Sequence, residues 1–208
     1  MARDTRQRIL ETALAMFNVQ GEPHVTTNHI ADELGISPGN LYYHFRNKDD
    51  IIEQLFARYE ACMDAALLAP TDRLPDLEDI WLQLHLVFEC IWEYRFLYRD
   101  LVEILSRNRR LRVRFTRLFA RADDSAHAVM RGLGQAGLMR ASADELAATA
   151  TNVLVVATFW LNYSAARGES DETRAIGRGV VQVMMLIAPF LRDAERLHLM
   201  TLTQAYRD

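Results

Sequence analysis

Cysteine, proline and glycine are scarce in this chain of 208 residues, which contains 2, 5 and 9 of them. So few cysteines exclude a small domain held together by several disulfides, and they exclude a cysteine-rich zinc site. Cys62 and Cys90 lie far apart in helical patterns, so we expect two buried free thiols. Because residues 76–131 contain neither glycine nor proline, we expect long helices there.

The chain also lacks an excess of positive charge, since its formal net charge is −4. Within residues 1–50, 5 lysines and arginines are outnumbered by 7 aspartates and glutamates. This balance excludes a protein that binds nucleic acid mainly through a broad basic surface. A nucleic-acid contact would have to depend on the local placement of a few residues, with modest non-specific affinity and a shallow salt dependence.

No uninterrupted apolar run is long enough to span a bilayer, and the N-terminus lacks the pattern of a signal peptide. We therefore expect a cytoplasmic protein with no membrane partner. Half of the residues are apolar, which is enough for one large core or two modest ones.

Strand patterns and metal-ligand spacings among the six histidines are missing as well. Residues 35–39 match the G-x-S-x-G pattern of serine hydrolases, and residues 132–137 match a dinucleotide-binding fingerprint. Both motifs require a preceding strand, whereas helical sequence precedes each of them here. We predict no catalytic residue, no metal and no cofactor.

Residues 26–45 predict two short helices joined by a tight turn. The first runs from Thr27 to Leu34 and ends at Gly35, because glycine tolerates the left-handed geometry of a helix end. Ser37 as the cap and Pro38 at the first position begin the second helix, which runs to about His44. This spacing is typical of a helix-turn-helix, which places its second helix in the major groove of DNA.

The second helix has a polar outward face. Leu41 and Phe45 supply its buried pair at i and i+4, so a packed aromatic cluster is the weaker interpretation of the remaining tyrosines. The outward side chains offer hydrogen bonds to phosphates and to base edges. They are Ser37, Gly39, Asn40, Tyr42, Tyr43 and His44, and Lys48 follows as a predicted phosphate contact.

The pattern TxxxIAxxxGISxGxLYxHFxxKxxI resembles the N-terminal DNA-binding region of the tetracycline-repressor (TetR) family of bacterial transcription regulators. The resemblance covers roughly residues 6–52. It implies that phosphates are contacted by Thr27, Tyr42, His44 and Lys48. It implies that bases or the groove wall are contacted by Asn28, Pro38, Gly39, Asn40 and Tyr43. Asn28 is a departure, because a longer base-reading side chain such as arginine would not be unusual there.

Helical periodicity over the whole chain predicts an all-α fold. We expect an N-terminal three-helix helix-turn-helix unit in residues 1–47 and a larger regulatory and dimerisation domain in residues 48–208. The first helix should begin near Asp4, and a helix over about 47–68 should connect the two domains. Further helices are predicted at 77–93, 96–106, 109–136, 142–166 and from Ser170 or Asp171 to 191, while 194–206 is either a helix or a flexible end.

The predicted helix at 109–136 has one basic face. Nucleic-acid binding is one interpretation of this face. A solvated face near the acidic residues of 77–93 and 96–106 explains it better. The face consists of Arg110, Arg112, Arg114, Arg117 and Arg121.

The last two long helices, at 142–166 and from about 170 to 191, are apolar almost all round. A helix of this kind must be covered on every side. We predict a homodimer in which two copies form a four-helix bundle, and a buried hairpin within a monomer is the alternative. The predicted interface consists of Val156, Phe159, Val181, Met184 and Met185.

Aromatic residues and a methionine in the C-terminal helices indicate an adjustable apolar cavity. For any single one of them, ordinary core is the stronger interpretation. Arg95 and Arg99 could hold an anionic head group, although pairing of Arg99 with Glu103 is equally consistent. The predicted ligand-binding residues are Met63, Phe88, Trp92, Arg95, Phe96, Arg99, Phe115, Phe119, Trp160 and Tyr163.

These features predict a sequence-specific regulator of transcription that binds a palindromic operator in double-stranded DNA. Its effector would be a small apolar or amphipathic molecule, such as a fatty acyl compound, that releases a repressor. As a hypothesis, the effector moves the connecting helix and so changes the separation of the two recognition helices. An activator or co-ligand-dependent regulator, an enzyme using the helical cavity, and a helical adaptor without DNA binding are the alternatives.

Overall fold

The computed structural model describes residues 2–70, 72–169 and 171–206, and this part of the chain is helical and contains no β-strand. The predicted all-α class is confirmed. The helices are α1 (Ala2–Gln20), α2 (Thr27–Leu34), α3 (Pro38–His44), α4 (Lys48–Ala66), α5 (Leu77–Glu93), α6 (Phe96–Arg99), α7 (Leu101–Arg107), α8 (Arg109–Gln135), α9 (Ala143–Ala166), α10 (Glu172–Ile187) and α11 (Asp193–Gln204). Short 3-10 turns occupy Glu22–His24 and Ala188–Phe190.

The helices pack into two compact units. The N-terminal unit comprises Met1–Cys62 and Tyr94–Phe115, and the C-terminal unit comprises Met63–Glu93 and Thr116–Asp208. The functional boundary expected near residue 47 stays a prediction, because packing alone does not locate a DNA-binding function.

Several helix boundaries follow local signals that are visible in the sequence. The bounds of α2, α3 and α5 agree with the predicted ones. At the start of α9, Ser142 accepts a hydrogen bond from the Glu145 amide, while the Glu145 carboxylate accepts one from the Ser142 amide. Gly137, which lies two residues after the end of α8, has φ +74°. This left-handed conformation is expected for a glycine just beyond a helix end.

Other boundaries depart from the predictions. The helix expected at 96–106 is divided into α6 and α7 at Asp100, whose side chain accepts a hydrogen bond from the Glu22 amide at 3.1 Å. Helix α10 ends at Ile187, since Pro189 follows and cannot continue a helix. The N-cap of α10 is Asp171, while Ser170 lies outside the described residues. Helix α1 begins before Asp4, and residues 193–204 form a helix.

Two expectations drawn from composition need correction. Cys62 and Cys90 are both disulfide-bonded, so the prediction of two free thiols is wrong. Their spacing in the sequence carried no sign of disulfide bonding. Helix α9 is long and apolar enough to cross a bilayer, by length and composition only, although the sequence suggested that no segment was. A core helix passes the same test, so this finding is weak evidence for a membrane span.

The core of the N-terminal unit is formed where α1, α2 and α3 meet. Phe17 and Ile30 are fully buried, as is Leu41 of α3, and Phe45 directly after α3 is 3% exposed. Phe17 also lies against the ring of Phe96, with a centroid distance of 5.2 Å. Burial of such side chains stabilises a fold by roughly 1.5–3 kcal/mol each relative to exposure. Each helix of the predicted three-helix unit therefore contributes buried apolar side chains.

In the C-terminal unit, α10 packs between α5 and α9. Val180, Val183 and Met184 of α10 are fully buried, as is Phe88 of α5. Gly179 allows the close approach, because a Cβ there would lie 2.4 Å from Phe88 Cε1 and 2.7 Å from Trp160 Cδ1.

We expect Gly179→Ala to destabilise the protein. Overpacking a core costs roughly 1–3 kcal/mol, whereas the better helix propensity of alanine returns at most about 1 kcal/mol. The free energy of unfolding, measured in urea at a fixed protein concentration, should therefore fall. Gly134→Ala is the matched control on α8, because a Cβ there meets nothing within 4 Å. Equal stability of the two variants would contradict the close packing at Gly179.

Candidate nucleic-acid interface

The corner between α2 and α3 is fixed by groups that satisfy the helix ends. The Thr26 hydroxyl accepts a hydrogen bond from the His29 amide at 3.2 Å. Gly35 ends α2 in the left-handed conformation, with φ +65°, and Ser37 Oγ accepts a hydrogen bond from the Asn40 amide at 3.2 Å. Ser37 therefore caps a helix, and α2 rather than a strand precedes it, so nothing supports the serine-hydrolase motif.

Helix α3 buries one side and exposes the other. Tyr43 is 81% exposed and Tyr42 is 49% exposed, whereas Leu41 between α2 and α3 is fully buried. Asn28, Ser37, Pro38, Gly39 and Asn40 are also exposed, and Thr27, His44 and Lys48 are half-buried. The residues predicted to contact DNA therefore all reach the surface of the N-terminal unit, and Tyr43 and Asn40 do so on the outer side of α3.

Thr27 at the start of α2 and Tyr42 on α3 form a pair of hydroxyl groups. Their oxygen atoms, Thr27 Oγ1 and Tyr42 OH, are 3.0 Å apart. Each hydroxyl has one donor and two lone pairs, so the pair retains capacity for a further acceptor. The positive end of the α2 dipole lies at Thr27, and it favours an anion there. This geometry suits a phosphate oxygen.

Lys48 lies differently from the expected phosphate contact. Its Nζ donates to the backbone carbonyls of Glu22 and Val25 at 3.0 Å each, and it lies 2.8 Å from Glu22 Oε1. An ammonium has three N–H donors, so these three contacts occupy all of them. In this arrangement a phosphate would have to displace a contact within the protein, and the DNA role of Lys48 stays a prediction.

Arg6 is a residue of this surface that the sequence did not single out. Its guanidinium carbon lies 4.9 Å from the centre of the Phe45 ring, so the charge is held against the end of α3. Such a cation–π contact is worth roughly 0.5–1 kcal/mol at an exposed site. Arg6 and Phe45 are distant in sequence, so no local pattern indicated the pair.

The basic face of α8 is paired with α4. Arg114 Nη2 lies 2.6 Å from Glu60 Oε2 in the N-terminal unit. In the C-terminal unit, Arg121 Nε lies 2.8 Å from Asp64 Oδ1. For these two arginines the expected partners in 77–93 and 96–106 are wrong, since the carboxylates belong to α4. Ion pairing also makes these arginines less available to a nucleic acid.

Helix α9 exposes a row of large apolar side chains at i, i+4 and i+8. Val155, Phe159 and Tyr163 are 52%, 46% and 52% exposed. With three neighbours they line a groove of about 300 Å³. We call this row and its groove the α9 face; the neighbours are Val156, Trp160 and Gln182.

The predicted interface residues fit this face unequally. Val156 lines the groove, Phe159 is exposed, and Val181 and Met185 are partly buried. Met184 is fully buried in the core of its own subunit, so its assignment to a subunit interface is wrong. The apolar pattern of α10 did not separate residues that face the subunit core from those that face outward.

Four of the predicted ligand-binding residues belong to the N-terminal unit. Phe115 packs on Phe56 with a centroid distance of 4.7 Å, and Phe96 packs on Phe17. Arg99 Nη1 donates to the carbonyl of Asn18 at 2.8 Å. Arg95 is the fourth residue, and it is partly buried.

The same unit contains a buried pair of phenols that the sequence did not predict. The hydroxyls of Tyr59 and Tyr98 are hydrogen-bonded to each other, and both side chains are almost fully buried. Burial raises the pKa of both tyrosines well above the ordinary value. The two hydroxyl groups form a polar pair within an otherwise aromatic interior.

The other six predicted ligand-binding residues belong to the C-terminal unit. Trp160 and Tyr163 line the groove of the α9 face, and Trp160 Nε1 donates to the carbonyl of Ala175 at 2.5 Å. Phe88 and Met63 are buried, and Trp92 and Phe119 are partly buried. Because the ten residues belong to both units, a shared cavity stays a prediction.

Models of known protein families match two parts of the chain. The model described as bacterial regulatory proteins of the tetR family matches residues 9–55, and the model described as bacterial transcriptional repressor matches residues 58–199. Among curated proteins, the uncharacterized HTH-type transcriptional regulator TtgW of Pseudomonas putida is 39% identical over 56 residues. That segment is 27% of this chain, and it spans only 42% of the length of TtgW.

A solved structure extends the likeness to the whole chain. A TetR-family transcriptional regulator from Marinobacter aquaeolei VT8 is 38% identical with a TM-score of 0.90, and the match covers 98% of this chain and 99% of that one. The SmeT–triclosan complex is 22% identical with a TM-score of 0.63, covering 92% and 94% of the two chains. This second likeness is one of fold.

Proposed function

Because the chain belongs to the TetR family of bacterial regulatory proteins, we propose that it is a cytoplasmic, sequence-specific DNA-binding regulator of transcription. The observation that carries this proposal is the outward face of α3, where Asn40, Tyr42 and Tyr43 are exposed above a buried Leu41. Hydroxyl and amide groups on a helix of this kind can bond to phosphates and base edges in a major groove.

An enzyme is not supported as the alternative. The family is one of regulatory proteins, and its function lies in binding DNA rather than in turnover. The adaptor alternative predicts a folded dimer with no affinity for DNA, and substitution of Tyr42 separates it from the proposed function.

The functional form is a homodimer that pairs through the α9 face. Three large apolar side chains on one row of a helix are exposed in the single chain, and a second copy related by a two-fold axis would cover them. Two copies would place two α3 helices on half-sites of a palindrome separated by one helical turn or a multiple, roughly 34–36 Å. Val156, Phe159, Val181 and Met185 remain the proposed interface residues.

The regulator is a repressor that a small apolar or amphipathic molecule, such as a fatty acyl compound, releases from DNA. The predicted ligand-binding residues are mostly aromatic, which favours an apolar body for the ligand. SmeT, a protein of the same fold, has been solved in complex with triclosan, a small molecule. An effector of this kind can act only through a difference in affinity for the DNA-bound and free arrangements.

Selection of duplexes from a random library by the purified full chain tests this function. We expect enrichment of inverted repeats, followed by release of the enriched duplex on addition of oleate but not of choline at the same concentration. Failure to enrich any duplex would remove the proposed function. An equal response to oleate and choline, or a response to neither, would refute the proposal of an apolar effector but not the proposal of DNA binding.

A further inference from the structure

Glu22 is a carboxylate buried completely in the N-terminal unit. It lies in the 3-10 turn between α1 and α2, and its side chain has 0% exposure. An ionised carboxylate in such a place is costly unless cations offset the lost hydration. Its surroundings therefore decide what this residue does.

Two cations from different parts of the chain converge on one oxygen atom of Glu22. Lys48 Nζ, at the first residue of α4, lies 2.8 Å from Oε1. Arg107 Nη2, at the last residue of α7, lies 2.5 Å from the same atom. The turn is also tied to α7 through its backbone, because the Glu22 amide donates to Asp100 Oδ2 at 3.1 Å.

The cluster is buried at its centre. Both cations lie at hydrogen-bonding distance from Oε1, and both carboxylate oxygens are inaccessible to solvent. The side chains of Lys48 and Arg107 remain 24% and 32% exposed, so each can also reach solvent. Lys48 and Arg107 therefore compete for one negative charge. Arg107 also lies 3.6 Å from Glu103 Oε1 and 3.9 Å from Asp49 Oδ1.

The position of Lys48 links this competition to DNA. Lys48 begins the helix that follows α3, and three internal contacts occupy its three donors. When Arg107 neutralises Glu22, the attraction on Lys48 weakens, and the ammonium can turn to an external anion. When Arg107 withdraws, Lys48 is left to offset the buried negative charge by itself.

We propose that Glu22 is a positioning residue of the DNA contact: its carboxylate holds Lys48 back from the phosphate backbone, and Arg107 sets how firmly by sharing Oε1. This inference rests on the proposed DNA-binding function. Because Arg107 is the last residue of α7, the position of α7 influences operator affinity through the single charge of Glu22. The partner of Lys48 in the bound state is a phosphate of the duplex.

The test measures affinity and its salt dependence on the duplex selected by the wild-type chain. Glu22→Gln keeps the shape and removes the charge, so we expect tighter binding, by about tenfold, and a steeper slope of log K against log salt. One added phosphate contact steepens that slope by about 0.9, hence by up to roughly 1.8 for two subunits. Arg107→Gln should act in the opposite direction, with weaker binding and a shallower slope.

Lys48→Met provides the control, since both effects are expected to pass through Lys48. In a Lys48→Met background, Glu22→Gln and Arg107→Gln should leave affinity and slope unchanged. A merely structural Glu22 would weaken binding in both single variants, with no change of slope, and that result would overturn the inference. If Glu22→Gln does not fold by circular dichroism, the comparison of Arg107→Gln with and without Lys48 decides.

The two proposals fail in distinguishable ways. A wild-type chain that selects no duplex refutes the proposed function. A wild-type chain that binds its selected duplex, while Glu22→Gln and Arg107→Gln shift affinity in the same direction, refutes only the role of Glu22.

Discussion

Phe159→Glu should yield a monomer at micromolar concentration and reduce operator affinity by about 100- to 10,000-fold, the usual range of the gain from two linked sites. Phe159 is 46% exposed in the middle of the α9 face, between Val155 and Tyr163. A charge there would lose its hydration when the apolar α9 face is covered by the partner. Analytical sedimentation and a DNA titration with the selected duplex would measure the two effects.

Leu197→Glu is the matched control for this substitution. Leu197 is 70% exposed on α11, in the same unit, and it does not line the groove. The control should stay dimeric and bind DNA normally. A Phe159→Glu protein that sediments as a dimer would refute the α9 face as the subunit interface. A monomer that retains full affinity would refute the two-half-site arrangement instead.

Tyr42→Ala should lower operator affinity by about 30- to 150-fold while the protein remains dimeric. A hydrogen bond contributes about 1–1.5 kcal/mol, and a dimer loses it twice. The substitution removes the hydroxyl that lies 3.0 Å from Thr27 Oγ1, so the Thr27 hydroxyl would contact the phosphate alone. Fluorescence anisotropy with the selected duplex would measure the loss.

Tyr42→Phe separates the hydroxyl from the ring. It should account for most of the loss if the hydroxyl binds phosphate, and the slope of log K against log salt should stay unchanged because no cation is removed. Val19→Ala, at a side chain that is 78% exposed on α1, should have no effect. Normal binding by Tyr42→Ala would show that the outward face of α3 does not contact the duplex.

Local signals in the sequence were sufficient for the helix-turn-helix. Gly35, Ser37 and Pro38 each determine a helix end through their own backbone preferences, so the bounds of α2 and α3 followed without any knowledge of tertiary packing. The exposure of Tyr42 and Tyr43 followed in turn, because Leu41 and Phe45 occupy the only buried side of so short a helix.

Features that depend on distant residues could not be found in this way. The break between α6 and α7 occurs where Asp100 receives the Glu22 amide, 78 positions away in the sequence. Glu22 is followed by proline and histidine, and these residue types are ordinary in a surface turn. Nothing local therefore indicated that the Glu22 carboxylate is buried. The contacts of Lys48 were missed for the same reason. When the partner of a charged residue is distant in sequence, only the three-dimensional structure identifies it.

The pairing of α8 with α4 bears on how a regulator of this kind would search a chromosome. Random sequence outnumbers an operator by many orders of magnitude, and a strongly cationic surface would leave most copies bound to it. Carboxylates of Glu60 and Asp64 neutralise two of the arginines that could have caused such trapping. A small number of regulator molecules per cell would then suffice to keep one operator occupied.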